Sequence, residues 1–205
     1  MIDLDNKPHW CLSGGADGAD LEWGKWAKRR GHGVIHFSFT KHKTQAVEDL
    51  YVLNEPELVA ADPHCHLANL SLHRRFPAHQ PSITNLLRRD WYQVAHAHAC
   101  YAVSTFRIIP GATLPLSTVI QDVQVDGGTA WAVQMFLDRH HGKSCACYMF
   151  DQVLCHWFKW NGVGWECIYE PPPPAGVWAG IGSRKLLPMG ALAIRITMDG
   201  LRDTD

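Results

Sequence analysis

The sequence predicts an α/β fold, with a doubly wound parallel sheet covered by helices on both faces. Short apolar runs typical of buried strands alternate with longer amphipathic stretches typical of helices, and glycine-rich turns join the two. A strand followed by a helix and another strand forms a parallel pair, because the crossover helix returns the chain to the same edge of the sheet. The 205 residues suffice for one such domain with a full core.

The first strand–helix–strand unit lies near the start of the chain. Trp10–Ser13 is a short apolar run that predicts a buried strand, and the glycines of Gly14–Gly18 predict a turn. Ala19–Arg30 predicts a helix that ends at Gly31, since glycine is favoured just after a helix. Branched and aromatic residues in Gly33–Phe39 predict the next strand.

Helical spacing dominates the next part of the chain. Thr44–Ala61 carries apolar residues at helical intervals and predicts a helix that is interrupted at Pro56. Ser82–His98 predicts a second helix, with a serine near its start. Tyr101–Phe106 then predicts a strand, and Val119–Val125 predicts an added strand.

The second half of the chain continues the alternation. Gly127–Leu137 predicts a glycine turn that leads into a helix, and Ser144–Phe150 predicts a further strand. Cys155–Ile168 predicts a β-hairpin, because the Asn161-Gly162 pair suits a type I′ turn. This hairpin is expected to be an appendage of the main sheet.

A proline run, Pro171–Pro174, predicts a stiff extended linker before the last strand, Val177–Ile181, and the last helix, Pro188–Leu201. We expect a single domain over residues 1–205. Residues 1–151 would form the main sheet and its helices, 152–170 the hairpin, 171–176 the proline-rich joint and 177–205 the last strand and helix.

Composition argues against several classes of protein. The chain is 46% hydrophobic and 19% charged, which is typical of a globular domain. Its formal net charge of −1 gives no basic excess, so nucleic acid is an improbable partner. No apolar stretch is long enough to cross a bilayer, and the first residues do not resemble a signal peptide. The expected location is the cytoplasm, without a membrane partner.

The cysteines and histidines do not predict a metal site. The seven cysteines are scattered without a Cys-x-x-Cys pair, and we expect them to be reduced and structural. Three short histidine clusters have the chemistry of metal ligands, but histidines on a surface or helix face give the same pattern. These clusters are His64 and His66, His96 and His98, and His140 and His141.

The strongest functional signal is the segment Ser13–Asp20 (SGGADGAD). Glycines let a ligand approach the backbone, and the start of the following helix attracts phosphate. We therefore predict that an anionic ligand group binds here. The binding residues would be Ser13, Gly14, Gly15, Ala16 and Gly18.

Two carboxylates complicate this turn, because a carboxylate repels phosphate. Asp17 and Asp20 would have a role if they faced ribose hydroxyls, a base or a magnesium ion, so magnesium is a possible but uncertain cofactor. The alternative is that both only stabilise the helix N-terminus.

Two further turns predict parts of the same site. Gly180, Gly182, Ser183 and Arg184 follow the last strand, where Arg184 has the geometry to hold a phosphate bidentately. The alternative is a tight turn with a solvated arginine. The turns would converge at the carboxyl ends of the strands, where ligands of open α/β sheets bind. The second turn, Gly127–Thr129, also precedes a predicted helix and would bind phosphate with the Thr129 hydroxyl as donor, and the alternative is a simple turn with Thr129 as the N-cap. The other predicted ligand-binding residues there are Gly127, Gly128, Thr129, Ser104 and Thr105.

One predicted helix adds polar residues to this site. Arg89 and Gln93 are four residues apart and therefore lie on one helix face. We predict that they point into the site, and a solvated face is the alternative.

At these residues the chain resembles the SLOG superfamily, a group of Rossmann-like proteins that includes the DNA-processing protein A group and the lonely-guy phosphoribohydrolases. Trp178–Arg184 (WAGIGSR) is similar to the first strand and turn of small bacterial and phage members, and Ser13–Asp20 is similar to their second turn. Arg89–Val94 (RDWYQV) is similar to their Arg-Asn-x-x-Gln-Val helix, and Gly127–Thr129 to their Gly-Gly-Thr turn.

The two glycine-rich segments occur in the reverse of the family's order. Moving Pro174–Asp205 in front of Met1 restores that order, so the resemblance implies a circularly permuted Rossmann-like fold. A domain swap, in which this segment completes the sheet of a neighbouring subunit, is the alternative. The resemblance also implies a homo-oligomer, in the simplest case a dimer.

The chain departs from the phosphoribohydrolases at one position that matters. Their catalytic glutamate follows the Gly-Gly-x-Gly-Thr turn, and Ala132 stands there in this chain. The first functional hypothesis is therefore binding of a nucleotide or an ADP-ribose-like ligand, as a sensor or a sink for a signalling nucleotide. The alternative is an N-glycosidic hydrolase with Asp17 or Asp20 as the catalytic carboxylate. Binding of single-stranded DNA is the third and weakest hypothesis.

Overall fold

The computed structural model describes residues 4, 6–108 and 119–199. The strands in this part of the chain are β1 (Trp10–Ser13), β2 (Gly33–Phe39), β3 (Leu50–Leu53), β4 (Ala99–Ser104), β5 (Phe106–Ile108), β6 (Val119–Ile120), β7 (Val123–Val125), β8 (Cys147–Asp151), β9 (His156–Trp160), β10 (Trp165–Ile168) and β11 (Val177–Gly182). The helices are α1 (Ala19–Arg29), α2 (Glu55–Ala60), α3 (Asp62–Leu72), α4 (Pro81–Val94), α5 (Thr129–Arg139) and α6 (Pro188–Asp199).

A mostly parallel sheet forms the centre of the protein, so the predicted α/β architecture is confirmed. Nine strands are arranged in the order β3-β2-β1-β11-β4-β8-β9-β10-β6 within the described residues. The pairs from β3 to β8 are parallel, and the pairs from β8 to β6 are antiparallel. Strands β5 and β7 form a separate antiparallel pair.

Helices pack on both faces of this sheet, and the side chains of β4 show why. Cys100 and Ala102 belong to the core that includes α3, α4 and α5, whereas Tyr101 and Val103 belong to the core that includes α1 and α6. Successive side chains of a strand point to opposite faces, so an uninterrupted apolar run is stable only between two layers of helices. All seven residues of β2 are buried for the same reason.

The prediction of a helix over Thr44–Ala61 is wrong in its first half. Leu50–Leu53 forms an edge strand that pairs with β2, and its side chains alternate between exposed and more buried positions. Only α2 is helical there, and Pro56 lies in its first turn, where the missing N–H has no helical partner to lose. Asn54 and Glu57 close a capping box at this start, so the proline begins the helix instead of interrupting one.

The predicted hairpin forms as β9 and β10, but it is not an appendage. Strand β9 pairs with β8 and β10 pairs with β6, so the hairpin continues the main sheet with antiparallel strands. The Asn161 side chain accepts hydrogen bonds from the N–H groups of Val163 and Gly164, both at 3.0 Å. The connection is therefore a four-residue loop, longer than the two-residue turn that was predicted.

Strand β11, the last strand along the chain, lies in the middle of the sheet between β1 and β4. Trp178 is fully buried and packs edge-on against Trp23 of α1, with ring centroids 5.5 Å apart. Of the predicted helix Pro188–Leu201, the structure shows α6 to Asp199. Leu201 lies outside the described residues, and so do both chain ends, Met1 and Asp205.

Candidate functional site

A cleft of about 640 Å³ opens at the carboxyl ends of the central strands. Its walls come from the segments that follow β11, β4 and β8, from the start of α1 and from one side of α4. Here the strand order reverses, because the chain runs from β1 toward β2 on one side of β11 and from β4 toward β8 on the other side. Ligands of open α/β sheets bind at such a position.

Most of the predicted site residues line this cleft. Those that do so are Ala16, Asp20, Arg89, Gln93, Ser104, Thr105, Gly127, Gly128, Thr129, Gly182, Ser183 and Arg184. Those that do not are Ser13, Gly14, Gly15, Asp17, Gly18 and Gly180. The excluded residues belong mainly to the first glycine turn, which packs against the protein itself.

The first glycine turn is occupied by a side chain of the protein. A Cβ atom at Gly14 would overlap the guanidinium group of Arg89, which lies directly over the turn. Gly18 has φ of +92° and sits against the carbonyl groups of Ser183 and Arg184, where a Cβ atom would not fit. The N–H of Ala19, at the start of α1, donates to the carbonyl of Ser183 at 3.1 Å. This turn thus joins α1 to the segment after β11.

The other residues of the turn have structural contacts of the same kind. The Ser13 hydroxyl donates to the carbonyl of Asp20 at 2.8 Å, and the Thr44 hydroxyl donates to the carbonyl of Gly15 at 2.6 Å. Asp17 is exposed and lies outside the cleft. A direct catalytic role inside the cleft therefore has no geometric support at Asp17.

The glycines of β11 allow α1 to approach the sheet. A Cβ atom at Gly180 would lie 2.7 Å from the Cβ of Trp23. The N–H of Gly182 donates to Asp20 Oδ1 at 2.8 Å, which ties the start of α1 to the end of β11. The Ser183 hydroxyl accepts from Gln152 Nε2 at 3.0 Å and donates to the carbonyl of Lys185 at 2.9 Å. Sequence reasoning missed Gln152, which holds this segment in place.

A buried polar cluster forms the floor of the cleft. Arg89 Nη1 donates to Gln93 Oε1 at 2.6 Å and lies 3.4 Å from Asp20 Oδ2 and 3.3 Å from Asp90 Oδ1. Gln93 Nε2 also donates to Asp20 Oδ2 at 3.4 Å. Arg89 and Gln93 thus lie on one helix face, and one guanidinium group separates two buried carboxyl groups.

Burial controls the protonation of these carboxyl groups. It raises the pKa of Asp90 to about 7. The positive charges of Arg89 and Arg184 act to lower this pKa, whereas the negative charge of Asp20 raises it further. Burial also raises the pKa of Asp20, while Arg89 and the N–H of Gly182 act in the opposite direction. The cleft therefore contains a carboxyl group, Asp90, that exchanges its proton near neutral pH. Sequence reasoning missed Asp90, although it stands next to the predicted Arg89.

The start of α5 is open to the cleft, in contrast to the start of α1. Among the described residues, no atom lies within 4 Å of a Cβ position at Gly127 or Gly128, and Gly127 has φ of +65°. Arg74 holds the turn from behind, with Nη1 donating to the carbonyl of Gly127 at 2.5 Å. Thr129 is buried, and its hydroxyl has no hydrogen-bond partner among the described residues. This helix terminus can accept a ligand group without displacing a side chain.

Charged and apolar side chains complete the cleft. Arg184 and Lys185 are exposed on one rim, and neither side chain has an ion-pair or hydrogen-bond partner in the described part of the chain. Asp126 is exposed beside the α5 terminus. Leu86 and Leu87 of α4 form an apolar wall. The cleft thus combines an open helix N-terminus, two free cations and an apolar surface.

The histidine and cysteine clusters form no metal site in the described ranges. His64 stacks on Trp91, with ring centroids 3.5 Å apart. All seven cysteines are free, and Cys155 and Cys167 are exposed. No three histidine, cysteine, aspartate or glutamate side chains of residues 4, 6–108 and 119–199 lie close enough together to hold a metal ion.

Fold and cleft together define an α/β protein with an open cleft at the carboxyl ends of its parallel strands. Comparison of the chain with protein-family models, curated proteins and solved structures found no match. Among the described residues, no helix has both the length and the apolar character needed to cross a bilayer.

Proposed function

We propose that this protein binds a nucleotide or a nucleotide-derived ligand in the cleft. The observation that carries the proposal is the open N-terminus of α5, where Gly128 and Thr129 face the same cleft as Arg184, a cation with no ion-pair partner among the described residues. Free N–H groups at a helix N-terminus attract phosphate, and a guanidinium group binds phosphate bidentately. An anionic group would therefore bind between α5 and Arg184.

The remainder of the cleft suits a ring system. Leu86 and Leu87 offer an apolar surface next to the polar floor, and the volume of about 640 Å³ falls in the range of small-molecule sites. A base would pack against this wall, and ribose would lie between wall and anion site. In this arrangement Arg89 takes the place over Gly14 that the sequence assigned to phosphate, and the ligand uses the α5 turn.

We also propose that the chain is a circularly permuted member of the SLOG superfamily, with a role in sensing or sequestering a signalling nucleotide. The position of β11 supports this proposal. The neighbouring parallel strands are β2, β1, β11, β4 and β8, and the edge strand β3 is left out of this comparison. If the permuted chain is numbered from β11 as strand 1, these five strands have the order 3-2-1-4-5 that is typical of a Rossmann-like sheet. Ala132 lines the cleft, as expected for the position at which the phosphoribohydrolases carry their glutamate. Binding without hydrolysis is consistent with an alanine there.

Hydrolysis of an N-glycosidic bond is the second candidate. It is favoured by the buried carboxyl groups of Asp20 and Asp90 at the floor of the cleft. Incubation of the protein with AMP and ADP-ribose, followed by chromatography of the products, tests it. Release of a free base that disappears in Asp20→Asn would establish this activity. Intact nucleotides after long incubation would leave binding as the function.

Calorimetric titration with AMP, ADP and ADP-ribose tests binding itself. The charge-assisted contact of Arg184 predicts that Arg184→Ala weakens binding about tenfold or more. Arg195→Ala is the matched control, because Arg195 is exposed on α6 and does not line the cleft. Absence of binding to any of the three nucleotides, or equal losses in both variants, would refute the proposal.

A further inference from the structure

We propose that Asp90 recognises the ribose hydroxyl groups of the bound nucleotide, so that the cleft selects ribonucleotides over 2′-deoxyribonucleotides. This inference rests on the proposed function and names the specificity of the same site. It replaces the roles that the sequence suggested for Asp17, which lies outside the cleft, and for Asp20, whose carboxylate oxygens have partners within the protein.

The contacts of Asp90 with the described residues leave a hydrogen-bond acceptor without a partner. Only 7% of Asp90 is exposed, and the exposed part faces the cleft. Its Oδ1 lies 3.3 Å from Arg89 Nη1, and the side chain has no other hydrogen-bond or ion-pair partner among the described residues. The accessible part of Asp90 is a hydrogen-bond acceptor that opens to the cleft, so a ligand that supplies O–H groups gains affinity there.

The groups around Asp90 favour a neutral donor such as a hydroxyl. Arg89 on α4 already lies between Asp90 and Asp20 of α1, and Arg184 faces Asp90 from the segment after β11. The Cys65 thiol of α3 is also close, since the negative charge of Asp90 helps to raise the pKa of this thiol. Asp126 and Lys185 lie on the rim of the same cleft. A vicinal diol donates two hydrogen bonds without adding a charge to this balanced set.

Binding of hydroxyl groups is coupled to the protonation of Asp90. Burial raises the pKa of this carboxyl group to about 7, so both forms are present near neutral pH. Hydrogen bonds from ligand hydroxyls favour the charged form and lower the pKa in the complex. The preference for ribose is therefore expected to increase as the pH rises through about 7.

The test compares AMP with 2′-deoxy-AMP by calorimetric titration between about pH 5.5 and about pH 8.5. Both ligands carry the same phosphate, whose second pKa is about 6. The effect of its ionisation on affinity is therefore the same for both ligands and cancels in the ratio of their affinities. We expect AMP to bind about tenfold more tightly than the deoxynucleotide at the highest pH, and the ratio to fall toward unity at the lowest pH. This measurement needs only the wild-type protein.

Two variants assign the effect to a residue. Asp90→Asn keeps the volume of the side chain but cannot titrate, so the ratio is expected to be small and independent of pH. Asp126→Asn removes another carboxylate of the cleft and is expected to keep the wild-type ratio at every pH. A pH-dependent ratio that persists in Asp90→Asn would overturn the inference.

The failure of this inference differs from the failure of the proposed function. Equal binding of AMP and 2′-deoxy-AMP at all pH values refutes the role of Asp90 and leaves nucleotide binding intact. Binding of neither ligand refutes both.

Discussion

The substitution Asp90→Asn is expected to stabilise the protein increasingly as the pH rises. Burial raises the pKa of Asp90 from 3.8 to about 7 in the folded protein. The protonated carboxyl group therefore contributes stability that is fully present below about pH 4 and is lost as the pH rises through about 7. At about 1.36 kcal/mol per pKa unit, the shift sets an upper bound of about 4 kcal/mol on the gain from a neutral asparagine.

Urea denaturation of both proteins at several pH values between about 4.5 and about 8 measures this gain. The difference in the free energy of unfolding should rise by at most about 1.4 kcal/mol per pH unit and reach a plateau above about pH 7. Asp17→Asn is the control, since Asp17 is exposed and a neutral side chain there should change the free energy of unfolding little. A flat difference for Asp90→Asn, or a loss of stability at pH 8, would refute the reasoning.

Three further substitutions test the packing around the cleft. Gly14→Ala forces a Cβ atom into the Arg89 guanidinium and should destabilise the protein by about 1–3 kcal/mol in urea denaturation. In Gly128→Ala the new Cβ atom meets no atom of the described residues, and Gly128 has helical φ of −67°, so stability should be unchanged or up to about 1 kcal/mol higher, while calorimetry should show weaker nucleotide binding. Unchanged binding in Gly128→Ala would contradict a ligand at the α5 terminus. Arg89→Met leaves Asp20 and Asp90 without their shared cation and should cost about 3–5 kcal/mol at pH 8 and less at pH 5, where Asp90 holds its proton because burial raises its pKa to about 7. An equal cost at both pH values would contradict the ion-pair account.

The central strands were predictable because local sequence and tertiary position agree there. Gly33–Phe39 is rich in branched and aromatic residues, and all seven of its residues are buried in a sheet that is covered on both faces. The edge strand β3 could not be predicted from burial in this way, because four half-exposed residues, Leu50–Leu53, are too few to distinguish a strand from a helix by their spacing. Pro56 is compatible both with the start of a helix and with a break inside one. The capping box of Asn54 and Glu57 shows that a helix starts here.

The candidate site was predictable in its location but not in its internal contacts. Glycines in Gly14–Gly18 indicate that something approaches the backbone closely, and the sequence cannot say whether that is a ligand or Arg89. Asp90 could not be singled out because its burial depends on how α4 packs. Arg89, Asp90 and Gln93 are all buried, so more than one face of α4 packs against the protein interior. The four-residue spacing of Arg89 and Gln93 predicts only the face that these two residues share, and Asp90 does not lie on it.

The central position of β11 has a consequence for synthesis on the ribosome. Trp10 of β1 pairs with Val177, and Cys100 of β4 pairs with Ala179, so each of these strands has its partner near residues 177–182. While the chain is being made, β1 and β4 have emerged with unpaired edges and cannot join until this late segment follows. Strand pairs of such large sequence separation form slowly, and exposed edges pair with other chains. The middle of the sheet can therefore be completed only after residues 177–182 have been synthesised, and until then β1 and β4 each keep one edge without its native partner.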